Sequence, residues 1–234
     1  MSCKHYAQFT IFIVVTCITA APSFAWHDES HLAVTKAAGY AKWYNAVGAD
    51  IAKTKSGPEF HNHFYNNSEG RTITPRLVLG QAERYNKPKD KDGHLYGAII
   101  AAIRKYCSVK EEGKFADYHL DFAVHYIADL SQPLHNIPYD DFNRSMHQAS
   151  DGIVEKEALA NMDKITTKMY PITIRAGSFE EDLATEIARI AELSHQLGLK
   201  LAVQKRNITK EEAYIQLGHS ASLLKAVLEE IKKQ

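Results

Sequence analysis

Histidine and aspartate recur in this chain at spacings suited to holding metal ions. In the run His125-Tyr-Ile-Ala-Asp129-Leu-Ser-Gln-Pro-Leu-His135, the first His and the Asp stand four residues apart. On a helix that spacing puts both side chains on one face, within reach of a single cation. Pro133 ends the helix and His135 follows in a loop, so one short stretch supplies three donors. His147 and Asp151 repeat the four-residue spacing at the expected start of the next helix, and His27 with His31 and His61 with His63 add two further pairs. This mixture of nitrogen and oxygen donors suits Zn2+. One such pair alone is an ordinary surface hydrogen bond; repetition at helix starts and loops is what argues for a metal centre.

Composition sets the frame for that chemistry. The chain has 234 residues, 45% hydrophobic and 24% charged, with 12 histidines and 28 basic against 28 acidic residues. One globular domain with a real core fits these values, and a disordered tail does not. Zero net charge excludes nucleic-acid binding through bulk positive charge. Residues 1–25 have the form of a signal peptide: Lys4 and His5, an apolar run from Phe9 to Ala21, and small residues at Ser23 and Ala25. The apolar run is shorter than the roughly 20 residues that span a bilayer, so cleavage before Trp26 is expected, and with it a secreted or periplasmic protein. Cleavage leaves Cys107 as the only thiol, without an internal disulfide.

The elements that must position these donors read as helices. Leu183, Ile187, Ile190, Leu197 and Leu201 recur at helical spacing, as do Tyr214, Leu217, Ala221, Leu224, Leu228 and Ile231. Thr209 and Glu212 form a capping-box signature ahead of the second run. Further helices are expected over 31–43, 75–85, 96–106, 115–130 and 150–167, with loops over 56–71, 86–93 and 132–143. No alternating pattern of useful length predicts a strand. The expectation is an all-α, compact single domain over 26–234, monomeric by default.

Together Trp26, His31, Asp50, the segment Phe60-His-Asn-His63-Phe64-Tyr65, His125-x3-Asp129-x5-His135 and His147-x3-Asp151 resemble the zinc-dependent phospholipase C and S1/P1 nuclease superfamily. The resemblance implies that family's compact all-α fold and three zinc ions in one cleft. Asp50, His63, His125 and Asp129 would hold the first ion, and His135, His147 and Asp151 the second. The third would take the α-amine and carbonyl of Trp26 with His31 and a bridging Asp129, so signal removal would complete that site. The remaining mature-chain histidines, His27, His61, His94, His119, His195 and His219, have no counterpart in the motif and read as surface or packing residues. Asp121, four residues before His125, is either an acceptor that orients that ring or an ordinary exposed carboxylate.

The implied reaction is hydrolysis of a phosphoric ester, for which clustered zinc activates water and neutralises phosphate charge. Asp50 and Asp129 are the expected catalytic carboxylates, with Asp50 also placed to orient or deprotonate the nucleophile. The bacterial phospholipase C branch is favoured: Glu29 and Phe60 match two members of its headgroup box, while Ile51 stands where the box has an aromatic. Lipid contact would be transient, through surface loops. The alternative is a single-strand nuclease, with Phe64 stacking under a base and Asn136 beside it. A zinc-scavenging periplasmic protein is a third reading, opposed by the absence of a His-rich tract.

Overall fold

The computed structural model describes residues 26–53 and 57–233, so the expected signal peptide over 1–25 lies outside the described residues. Ten α-helices follow one another: α1 Asp28–Ala37, α2 Gly48–Lys53, α3 Gly57–Phe60, α4 Pro75–Ala82, α5 Leu95–Val109, α6 Lys114–Asp129, α7 Asp141–Asp151, α8 Met162–Thr166, α9 Phe179–Gln204 and α10 Lys210–Ile231. Short 3-10 turns at Trp43–Asn45 and Pro133–His135 fall on either side of the α6 sequence. Among the described residues there is no strand, only an isolated antiparallel bridge between Tyr65 and Gly93. The all-α expectation therefore holds.

Helix α6 is the axis of the fold. It packs against α5, α10, α2 and α1, and from Leu120 through Asp129 every residue is buried. A helix buried on all sides cannot be read as amphipathic, because its polar residues face other protein rather than water. Ile99, Ile103, Phe122, Leu183, Ile187 and Leu224 form part of the larger apolar cluster around α5, α6, α9 and α10. A second cluster joins Trp26, Val34, Val154, Ile165, Leu217 and Tyr214, tying the start of the described chain to α8 and α10.

Several elements differ from the sequence expectation. The helix expected over 31–43 stops at Ala37, because Gly39 turns the chain with φ +81°, a conformation that glycine adopts without steric cost. The pair His147 and Asp151 closes α7 rather than opening a helix over 150–167. Asp140, inside the expected loop, starts α7 early as its N-cap, its carboxylate accepting from the Asn143 backbone N–H at 2.9 Å. The stretch 152–161 is instead a series of turns. Its Glu155 carboxylate accepts the backbone N–H groups of Glu29 and Ser30 at 2.8 and 3.2 Å, pinning the N-terminus of α1. The remaining differences are α2 and α3: the apolar pattern announces neither, and α3 lies inside the loop expected over 56–71.

The two long C-terminal helices match their periodicity. Thr209 Oγ1 accepts from the Glu212 N–H at 3.2 Å, and Glu212 Oε2 accepts from the Thr209 N–H at 2.9 Å. Hydrogen bonds from Arg206 lead in holding the Glu212 carboxyl down to about 2, with burial opposing and Thr209 assisting. Its contribution to stability is thus present above the ordinary value near 4.5 and is lost as pH falls toward about 2. Replacing Thr209 by Ala is expected to cost about 1 kcal/mol, lowering the thermal midpoint by about 2–4 °C. Scanning calorimetry at neutral pH checks this, and an unchanged midpoint contradicts it.

Candidate metal centre

Asp129, the last residue of α6, is completely buried and lies among four imidazoles. Its Oδ2 is 2.9 Å from His63 Nδ1 and 3.2 Å from His125 Nε2. Its Oδ1 is 3.1 Å from His31 Nε2 and 3.6 Å from His135 Nδ1. Burial alone would raise the carboxyl's pKa, but the charge of His125 and hydrogen bonds from His125 and His31 hold it well below the usual range. One carboxylate therefore turns a different oxygen to each of two groups of rings.

Around it, three sets of ligand atoms converge, each set mutually within 4.8 Å: Asp50, His63 and His125; His31, His125 and Asp129; and His135, His147 and Asp151. These are buried clusters of residue types that bind metal ions. Helix α2 supplies Asp50, whose Oδ1 stands 3.6 Å from His125 Nε2 and 3.8 Å from His63 Nδ1. Burial opposes its ionisation, but His125, Lys53 and His63 bring its carboxyl down to about 2. Lys53, one turn along the same helix, forms an ion pair with Asp50 while nearly buried. Sequence reasoning passed over this lysine; its i,i+3 spacing from Asp50 was the available signal.

The donor chemistry fits metal ions best at His135. Its ring is fully buried, and neither nitrogen has a hydrogen-bond partner among the described residues. Desolvation drives its pKa down to about 3, so the ring is neutral with a lone pair to offer. Asp151 Oδ2 is likewise buried without a hydrogen bond. Such groups are costly in an interior unless something satisfies them.

The other rings are aimed through their outer nitrogens. His125 Nδ1–H donates to the Ala46 carbonyl at 2.6 Å, leaving Nε2 for the cluster. Asp121 does not perform that task; it accepts from Tyr40 Oη at 2.5 Å and Asn45 Nδ2 at 2.9 Å, holding the segment that carries Ala46. His31 Nδ1 faces the His27 carbonyl at 3.3 Å. In α7, Asn143 Nδ2 donates to the Leu134 carbonyl at 2.7 Å, so its Oδ1 is the atom that accepts from His147 Nδ1–H at 2.6 Å. Gln132 bridges the third set, donating to Asp151 while its Oε1 accepts from the Leu134 N–H at 2.5 Å. Gly198 of α9 lets that helix press on the turn bearing His135, since a Cβ there would lie 2.7 Å from the Pro133 carbonyl oxygen.

The expected substrate residues fare differently. Phe60 and Phe64 are half-buried and meet edge to face at 5.3 Å, beside His63. Glu29 accepts the Leu159 N–H at 3.2 Å, so part of its carboxylate is spent on the 152–161 turns. Asn136 is fully buried; its amide donates to the Leu130 and Gln132 carbonyls and Ser194, and its oxygen accepts from Tyr96 Oη at 2.7 Å. It is a structural residue with no amide group left for a base edge. Trp26 packs its side chain in the second apolar cluster, and the next backbone N–H, of His27, donates to the Asp151 carbonyl at 3.4 Å. Of the histidines outside the motif, His94 lies between Asp90 and Asn62 at 2.8 and 2.7 Å, and His219 meets Tyr170 Oη at 3.0 Å. Cys107 is half-buried on α5, where desolvation pushes its thiol up and away from reactive thiolate character.

Compared with protein-family models, curated proteins and solved structures, the chain finds no match.

His125 gives the centre a pH signature. Burial works to lower its pKa, but Asp50 and Asp129 outweigh burial and raise it to about 9. In the metal-free chain this charge stabilises the fold below the ordinary 6.5, and the contribution is lost as pH rises through about 9. A metal needs the neutral ring, and it also needs the proton off Asp151, whose carboxyl burial raises well above its ordinary value. Titration calorimetry in buffers of different ionisation enthalpy at pH 7 is expected to show proton release on zinc binding. Apparent affinity should rise toward pH 9. Binding without proton release contradicts the ligand role of His125.

Proposed function

We propose that the mature chain is a secreted, three-zinc phosphoric diester hydrolase of the phospholipase C type, releasing diacylglycerol and a phosphorylated headgroup. The observation that carries this reading is the sharing of the buried Asp129 carboxylate between ring sets, beside a third set ending in Asp151. The resemblance of these residues to the zinc-dependent phospholipase C and S1/P1 nuclease superfamily supports three ions, including one completed by the Trp26 amine after signal cleavage. Bound zinc supplies Lewis acidity toward phosphate oxygens and a water of lowered pKa.

The chain's own residues divide the remaining work. Asp129 fixes the His rings in position. Asp50, with 13% of its side chain exposed, is ionised at neutral pH and is placed to orient or deprotonate the attacking water. The positive charge of Lys53 beside it draws a phosphate oxygen toward the same edge. Three aspartates opposed by about six charges of zinc leave a cationic cleft in a neutral chain, suited to an anionic ester.

A lipid leaving group is favoured by the outer side of α2. There Ile51, 59% exposed and the chain neighbour of Asp50, joins Val47, Ala52, Tyr118 and Phe122 in a groove of about 640 Å3 whose rim also carries Lys42, Lys114 and Asp117. Engagement of Glu29 by Leu159 argues against strict choline selectivity. The nuclease reading keeps Phe64 as a stacking ring but loses Asn136 as a reader.

The deciding assay offers zinc-loaded mature protein phosphatidylcholine vesicles, other phospholipids, single-stranded DNA, RNA and a chromogenic phosphodiester. Headgroup release is expected, and Asp129→Asn should lose turnover by orders of magnitude. Rapid DNA cleavage without headgroup release would make the protein a nuclease. Full activity in Asp129→Asn would overturn the catalytic assignment of Asp129, and zinc binding with no hydrolysis of any ester would overturn the hydrolase reading.

A further inference from the structure

The ring of His63 is aimed by a contact different in kind from those of its neighbours. Its Nδ1 faces the cluster, 2.9 Å from Asp129 Oδ2 and 3.2 Å from His125 Nε2. A neutral imidazole that offers Nδ1 to a metal must carry its proton on Nε2. That Nε2 is buried, has no well-directed hydrogen bond, and stands 3.4 Å from Glu59 Oε1. Glu59 is itself buried and held from both sides, Oε1 accepting from Tyr126 Oη at 2.5 Å and Oε2 from Asn62 Nδ2 at 3.0 Å. Asn62 is fixed in turn, its Oδ1 facing His94 Nε2 at 2.7 Å and the Asn86 N–H at 3.3 Å.

We propose that Glu59 is a positioning residue for the metal centre: its carboxylate accepts a hydrogen bond from His63 Nε2–H and thereby turns the Nδ1 lone pair onto the first ion. The inference rests on the metal-binding reading and adds to it a carboxylate–histidine–metal relay. A buried carboxylate raises the donor strength of the ring it accepts from, and loss of such partners typically weakens metal binding about 10- to 100-fold. Its four-residue interval from His63 is the one sequence signal for Glu59, which is neither a ligand nor part of an apolar stripe.

The test compares wild type, Glu59→Gln and Glu59→Ala for zinc affinity by chelator competition, with thermal midpoints of the metal-free forms as the folding control. Glu59→Ala is expected to lose about 10- to 100-fold at one zinc site and to leave the others intact. The isosteric Glu59→Gln, which keeps an acceptor without its charge, should fall between. Long-range 15N–1H spectra of zinc-loaded wild type should show His63 protonated on Nε2 and bound through Nδ1, an outcome that does not depend on any variant folding. Equal affinity in all three proteins, or a His63 proton on Nδ1, overturns the proposal. Absence of zinc binding by wild type would instead overturn the metal reading beneath it.

Discussion

A carboxylate sealed from water at the end of the central helix is the constraint around which this protein is arranged. An isolated buried charge costs several kcal/mol even after relaxation, and Asp129 is fully buried. The fold meets that cost by bringing His31 from α1, His63 from the segment after α3, and His125 from α6 itself into contact with it. These rings come from distant parts of the sequence, so the helices carrying them must pack in one arrangement. Apolar contacts of α6 with α5 and α10 provide the stiffness.

Orientation of the rings comes from groups that bind no metal. The Ala46 carbonyl, the His27 carbonyl and the Asn143 amide each face one outer nitrogen, with Asn143 itself locked by its bonds to main-chain carbonyls. His135 is different, held by its turn and by α9 rather than by a hydrogen bond. A site built this way is preorganised: fixed donors lower the reorganisation needed when a cation arrives. The same packing explains the long C-terminal helices, which hold the turn at Pro133–His135 and the underside of α6.

Much of the site was legible because a helix converts spacing into direction. His125 with Asp129, and His147 with Asp151, meet as the four-residue interval requires, and the apolar stripes of α9 and α10 are buried as their periods imply. What escaped depended on contacts between distant segments. Asp121 lies on the same face as His125, yet Tyr40 and Asn45 claim it. Asn136 and Glu29 carry suitable chemistry for substrate contacts, but tertiary packing commits Asn136 fully and Glu29 in part to the main chain. The start of α7 hung on Asp140 as a cap, a local signal obscured by Pro133 and Pro138 ahead of it.

In the proposed centre, Asp129 is shared by metal ions within this buried cage. Crystals of the mature protein grown with zinc, measured above and below the zinc absorption edge, test it most directly. Strong anomalous peaks are expected on both sides of the Asp129 carboxylate, with a further peak among His135, His147 and Asp151. Crystals of zinc-treated protein with no anomalous density next to Asp129 would contradict it.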